Sequence, residues 1–364
     1  MDDLRAQFPV LEHLAYLNAG SNGPVPQRAL DAVSESLRWQ ATEGRGDKAH
    51  FEENAARIDH LRARIAALLG CETSELAVTG STTDGVNAVL NALDLGRGDD
   101  VLTSDEEHPG VLAPLAALRD RRGVSVRMVP FKELAGEVRP ETKVVACSHV
   151  SWKTGALVDS AALAATDALV LLDGYQSAGI IPVDVAALGV DFFVGGCLKW
   201  LCGGPGTAFL YTRPDVRQTL RPRFTGWFAH QSPFSFDIGA LEPRADAMGM
   251  MNGTPAIPAY YAALPGLEII ENATNVGFAV ASNQALRLAT GRYLLLLNPD
   301  AHVEPDTIPI MRDYMDAHPD VGCATCRACR SCTMPGTTSA SATAWCFSRP
   351  TRPGCRTSTM PFAN

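Results

Sequence analysis

Between residues 76 and 211 the chain alternates short, β-rich apolar runs with segments of helix length, and this alternation leaves few folds open. The runs Leu76–Thr79, Asp100–Ser104, Val124–Val129, Val144–Ser148, Ala168–Asp173, Asp191–Gly195 and Gly206–Tyr211 are predicted strands. Buried strands separated by helix-length connections build a mainly parallel sheet with helices on both faces, an α/β fold. Upstream, Pro24 opens a predicted helix toward Gln40. A second helix carries Ile58, Leu61, Ile65, Leu68 and Leu69 at helical spacing and stops at Gly70. Residues 1–273 read as one unit, and in such a sheet function gathers at the carboxyl ends of the strands.

Three polar clusters fall at such ends. Gly80-Ser81-Thr82-Thr83-Asp84-Gly85 follows one strand and opens a helix. A helix N-terminus offers unpaired N–H groups and the positive end of a dipole, which suits a phosphate; an ordinary N-cap gives the same residues. Asp173 ends the very apolar strand 168–172 and leads into Gly174-Tyr175-Gln176-Ser177. A carboxylate there needs a cation, from a structural arginine or from a ligand nitrogen. Lys199 lies in a glycine-flanked turn, Gly195 to Gly206, among apolar neighbours. Desolvation would lower its pKa and make a nucleophilic amine; an exposed loop lysine is the plain alternative. Together, a phosphate cradle, a strand-end aspartate and a lysine one strand later are the groups that a pyridoxal phosphate site requires.

The composition excludes several other classes. A net charge of −9 and a pI near 5.4 argue against binding nucleic acid through its backbone charge. Mean hydropathy is near zero and the longest apolar runs, 168–172 and 293–297, are too short to span a bilayer. The acidic Met1-Asp2-Asp3 start does not resemble a signal peptide, and Cys71, Cys147, Cys197 and Cys202 are scattered as in a reduced, cytoplasmic enzyme.

Across about residues 8–273 the chain resembles the class V aminotransferases, PLP-dependent enzymes of fold type I, in their branch of isopenicillin N epimerase-like, cysteine desulfurase and kynureninase-related proteins. The motifs are Tyr16-Leu17-Asn18-Ala19-Gly20, Gly80 to Asn87, Asp105-Glu106-Glu107-His108, Ser148-His149-Val150-Ser151-Trp152, Asp173 to Gln176, the Lys199 loop and Asn252-Gly253-Thr254-Pro255. The resemblance implies pyridoxal 5'-phosphate as cofactor, with Lys199 as Schiff-base lysine and proton shuttle. Asp173 would pair with the ring nitrogen, Gln176 would approach the phenolic oxygen, and His108 would stack on the ring, with a helix-start histidine as the alternative. Ser81, Thr82 and Thr83 would bind the phosphate, and Gly253 and Thr254 would reach the phosphate of a neighbouring subunit, which implies a homodimer. Trp152 stands in the cofactor pocket where desulfurases often have asparagine, and where kynureninase-like branches carry aromatic residues. Leu198, where many relatives have histidine, removes one possible phosphate contact. No metal ligand is implied. The substrate would be an amino acid, and the reaction transamination, epimerisation or Cα/Cβ lyase chemistry.

After about Asn272 the chain changes character. A class V enzyme continues its long connecting helix, begun here at Ala256–Ile270, into a small C-terminal domain that carries the arginine for the substrate carboxylate. Residues 274–322 instead resemble a fragment of rhamnosyltransferase-like GT-A glycosyltransferases, with Asp300 in the position of a metal-binding aspartate. The small domain is thus truncated or replaced. From Gly322 to Asn364 there is no Leu, Ile, Val, Asp or Glu, which predicts disorder for the tail 323–364. Six of the ten cysteines fall there, and Cys323, Cys326, Cys329 and Cys332 form C-x2-C-x2-C-x2-C, a spacing open to a metal or to no function. These changes suggest a chimeric reading frame. Two alternatives follow: a PLP-binding chimera impaired in catalysis, and a glycosyltransferase.

Overall fold

The computed structural model describes residues 6–14, 16, 18–223, 225–235, 242–269, 293–297, 307–318, 321–326, 344–348 and 356–360. The chain divides into two compact units, Asp3–Gly277 and a second that holds Phe278–Asn364.

The first unit begins with two long helices, α1 (Gln27–Glu43) and α2 (Lys48–Leu69). Asp47 caps α2 by accepting from the His50 N–H, and Gly70 ends it in the left-handed region, at φ 66°. Strands and helices then alternate: β1 (Leu76–Thr79), α3 (Thr82–Ala92), β2 (Asp100–Ser104), α4 (Pro109–Arg122), β3 (Ser125–Val129) and β4 (Thr142–Ser148). They continue as α5 (Ser160–Ala164), β5 (Leu169–Asp173), α6 (Val185–Leu188), β6 (Phe192–Gly196), β7 (Ala208–Thr212), α7 (Pro214–Arg217) and α8 (Ile257–Ile269).

The strands form one mixed sheet in the order β1-β7-β6-β5-β4-β2-β3, with helices on both faces. The pairs from β3 to β6 are parallel, whereas β7 runs antiparallel to both β6 and β1. The reversal follows from chain length. Residues 197–207 are too few for a helical crossover, so β7 must return beside β6. Phe192, Phe193, Phe209, Leu102, Leu172 and Val144 are fully buried in the resulting core.

Two glycines make room for that packing. A Cβ at Gly174 would lie 1.9 Å from Phe193 Cζ, and one at Gly195 would lie 2.4 Å from Phe209 Cζ. Arg62 of α2 is buried and donates to the carbonyls of Leu76 and Thr73 while pairing with Asp246 at 3.1 Å. It thereby fixes the segment that leads to residues 252–256.

In the second unit, β8 (Tyr293–Leu297), β9 (Val321–Cys326), β10 (Ala344–Ser348) and β11 (Arg356–Met360) pair into a sheet ordered β11-β9-β10-β8, and α9 spans Thr307–Ala317. Of the tail 323–364, for which composition predicts disorder, residues 323–326, 344–348 and 356–360 lie in these strands and the others lie outside the described residues. Thr325, Trp345, Phe347, Thr357 and Thr359 favour extended backbone, and each of these strands pairs with at least one neighbour. Asp300, Cys329 and Cys332 lie outside the described residues; Cys323 and Cys326 lie in β9. Among the described residues no helix is long and apolar enough to cross a membrane.

Candidate active site

The carboxyl ends of β4 and β5 carry Ser148 and Asp173 in register, and β6 leads directly into the Lys199 loop. That loop is held tightly. The N–H of Gly203 donates to the Cys197 carbonyl at 2.7 Å, and that of Cys202 to the Lys199 carbonyl at 3.2 Å. Cys202 (φ 52°), Gly204 (φ 73°) and Gly206 (φ 92°) all adopt left-handed backbone. From one side Gly23 approaches so closely that a Cβ would lie 1.9 Å from the Lys199 carbonyl oxygen. From the other, α8 packs so that a Cβ at Gly266 would lie 2.2 Å from the Leu201 carbonyl oxygen.

Asp173 is buried. Its Oδ1 accepts from the Tyr175 N–H at 2.9 Å, and it makes no ion pair among the described residues. Burial therefore raises its pKa to about 6. Lys199 is half-buried, and its Nζ lies 4.4 Å from the centroid of the Tyr175 ring. Desolvation lowers its pKa, against the opposing pull of the Asp173 charge.

His108 caps α4: its Nδ1 accepts from the Gly110 N–H at 3.0 Å, which leaves the ring proton on Nε2. His108 is thus a helix-start histidine, the alternative reading of it, and its pKa is lowered by desolvation and then by the charge of Lys199. The exposed Trp152 meets the His108 ring edge to face at 6.3 Å.

Ser81 is the N-cap of α3 and accepts from the Asp84 N–H at 3.1 Å, so its hydroxyl is already committed as an acceptor. Thr83 Oγ1 lies 2.9 Å from where a Cβ at Gly110 would stand, which brings the starts of α3 and α4 together. Thr82 is buried beside them. The first N–H groups of α3 remain as anion donors.

Gly253 and Thr254 line a cavity of about 130 Å³ together with Gly80 and Asp84 of the same chain. They stand beside this chain's own β1–α3 turn, whereas the sequence resemblance directs them to a neighbouring subunit. Gln176 donates from Nε2 to the Gly20 carbonyl at 3.2 Å and accepts at Oε1 from Trp200 Nε1 at 2.9 Å. It couples the N-terminal segment to the lysine loop and keeps one amide hydrogen for a ligand.

Sequence reasoning passed over several residues of this neighbourhood. Glu107 is buried and accepts from Ser104 Oγ at 2.5 Å and Ser148 Oγ at 2.6 Å. His149, also buried, shares a hydrogen bond of 2.9 Å with Ser177 Oγ. Their signal was present in the motifs Glu-Glu-His and Ser-His-Val-Ser, but only the fold brings their partners to them.

Residues 15–301 match the family model for class V aminotransferases, and residues 250–358 match that for glycosyl transferase family 2. The chain belongs to the class V aminotransferase family. An uncharacterized aminotransferase of Bacillus subtilis, YcbU, is 29% identical over 283 residues, which cover 74% of this chain and 73% of that one. A kynureninase of Pseudomonas fluorescens is 31% identical over 258 residues, 66% of this chain and 60% of its own length. The cystine C–S lyase C-DES, solved with its reaction product cysteine persulfide, aligns with a TM-score of 0.66 and 30% identity over 72% of this chain and 73% of that one. A C-DES mutant with glycine linked covalently to its PLP cofactor aligns with a TM-score of 0.68 and 25% identity, over 86% of this chain and 89% of that one. This class V chain thus spans 60% to 73% of the length of the two sequence relatives.

Proposed function

We propose that this class V chain is a pyridoxal 5'-phosphate enzyme acting on an amino acid, with Lys199 as the amine that holds the cofactor and then moves the proton at the substrate α-carbon. The observation that carries this reading is the buried Asp173 carboxylate, without an ion pair among the described residues, one strand away from the Lys199 amine. When bound, the cofactor delocalises the electron pair left at the α-carbon.

The chain's own residues supply the rest. Asp173 holds a proton on the ring nitrogen by charge. Lys199, whose pKa burial lowers, takes or returns the α-proton as the neutral amine. His108 offers a ring whose proton sits on Nε2, fixed by the Gly110 bond. The free N–H groups at the start of α3 receive the phosphate, and Thr82 and Thr83 flank it. Trp152 beside His108 favours substrates with a flat or extended side chain over the smallest ones. The kinship with kynureninase and C-DES supports cleavage of a bond at the substrate β-carbon as the reaction within the family's range. A homodimer belongs to this reading, supported by the exposed edge-to-face pairs Phe51–Phe234 and Trp227–Phe234.

The test is the visible spectrum of the purified protein with added pyridoxal phosphate, before and after borohydride, with any reduced adduct located by peptide mass. A yellow protein with the adduct on Lys199, lost in Lys199→Ala, is the expected result. An adduct elsewhere, or one retained in Lys199→Ala, would overturn the assignment. A second reading, cofactor binding with little turnover, is favoured by the match of residues 250–358 to a different family where the small domain should follow. Cofactor bound at Lys199 without consumption of any amino acid would distinguish it.

A further inference from the structure

The Asp-Gly-Tyr-Gln turn after β5 supplies more than Asp173 and Gln176. Tyr175 lies between them, half-buried, with its ring against the backbone of β6: a Cβ at Gly196 would meet Tyr175 Cε2 at 2.8 Å and Cζ at 3.0 Å. Gly196 is therefore the residue type that lets the ring approach the strand end so closely. Over that ring stands Lys199 Nζ, 4.4 Å from the centroid, well inside the distance at which an ammonium is attracted to an aromatic face. The Tyr175 N–H is itself fixed by Asp173 Oδ1 at 2.9 Å. The ring that faces the lysine is thus held from both ends, by the strand beneath it and by the carboxylate beside it.

We propose that Tyr175 is a positioning residue for Lys199: its ring holds the ammonium over the end of β6 and keeps the amine beside Asp173. The proposal rests on the reading of Lys199 as the functional amine, but the contact is a property of the protein without cofactor. The groups that act on Lys199 are the carboxylate of Asp173 from the β5 turn, the His108 ring from the start of α4, and the Tyr175 ring. Asp173 and the ring favour the charged amine, whereas burial disfavours it. Removal of the ring leaves burial less opposed, so a larger share of Lys199 becomes neutral and nucleophilic at a given pH.

The experiment is competitive labelling of the cofactor-free protein with trace acetic anhydride across a pH series, with acetylation of Lys199 read by peptide mass against the exposed Lys143 as internal reference. Tyr175→Phe keeps the ring and Tyr175→Leu removes it. Near neutral pH the Leu variant should label at Lys199 about two- to five-fold faster than the parent, the worth of a cation–π contact at a partly exposed site. The Phe variant should match the parent. Equal labelling of parent and Leu variant, or acceleration in Phe as large as in Leu, would overturn the proposal. Thermal unfolding checks that both variants fold. Should the Leu variant not fold, a fluorinated phenylalanine at position 175, which drains the ring face at nearly constant shape, replaces it. Faster labelling than Phe then supports the proposal, and equal labelling overturns it. The borohydride adduct on Lys199 is scored separately, so loss of the cofactor reading and loss of the Tyr175 contact are different results.

Discussion

The backbone N–H of Gly23 donates to the carbonyl of Leu198 at 2.8 Å, which ties the N-terminal segment to the loop that carries Lys199. The approach is possible only without a side chain, since a Cβ at position 23 would fall 1.9 Å from the Lys199 carbonyl oxygen. Gly23→Ala should therefore separate the two segments, with a loss of about 1–3 kcal/mol in urea unfolding and faster proteolysis before α1. Unchanged stability together with unchanged protection of residues 16–26 would contradict this role.

Asp173 and His149 should give the cofactor-free protein two opposing pH dependences. Asp173 is raised to about 6 from 3.8, so the folded state binds this proton more tightly than the unfolded chain. Its contribution to stability falls as pH rises from about 4 to 6, by about 3 kcal/mol. His149 is lowered to about 4 from 6.5 by burial, so the unfolded chain binds the proton more tightly. Its contribution is present above the unfolded value and is lost as pH falls from about 6.5 to 4, by a similar amount. Relative to the parent, Asp173→Asn should gain stability progressively above pH ~4, whereas His149→Gln should gain it only below pH ~6.5. Urea unfolding at several pH values reads both differences; a difference that stays constant between pH ~4 and ~7 refutes the assignment for that residue.

His108 combines a cap with a ring, and substitution can separate the two. Asn at position 108 can accept from the Gly110 N–H as the imidazole does, so His108→Asn should leave stability within about 0.5 kcal/mol of the parent. His108→Ala should cost about 1 kcal/mol by loss of the cap. An equal loss of cofactor affinity in both variants, set against unequal loss of stability, would assign the ligand role to the ring.

Glu107 satisfies two buried serine hydroxyls at once. Glu107→Ala leaves both hydroxyl protons without this acceptor and should cost about 2–4 kcal/mol in urea unfolding. Glu107→Gln keeps the volume and one carbonyl acceptor, and because a serine hydroxyl can turn to accept from the new amide, it should cost less than half as much. Equal losses would show that shape, and not hydrogen bonding, sets the cost at this position.

Most of the first unit was legible because its strands are short apolar runs with clear ends. Leu76–Thr79 and Asp100–Ser104 fall where the pattern sets them. β4 begins at Thr142, two residues before its apolar run, because Thr142 pairs with Asp100 across the ladder. The reversed direction of β7 was not read, since periodicity carries no direction; the shortness of the Lys199 turn decides it. Strand-end position singled out Asp173 and Lys199. It could not find the ring of Tyr175 beneath the amine, or the bond from Gln176 to Gly20, since these depend on contacts between distant segments. In the tail, β10 and β11 rest on pairing with neighbours, which the scarcity of Leu, Ile and Val does not reveal.

The place of β1 at the sheet edge has a consequence for the order of synthesis. Leu76 pairs with Tyr211 and Thr79 with Ala208, and among the described residues β7 is the only strand that β1 joins. During translation, β1 and the α3 start that follows it must wait, edge unsatisfied, until the ribosome has released β7. By then Asp173 and Lys199 have already emerged. The turn between β1 and α3, made first, thus gains its sheet partner only after Asp173 and Lys199 have been made.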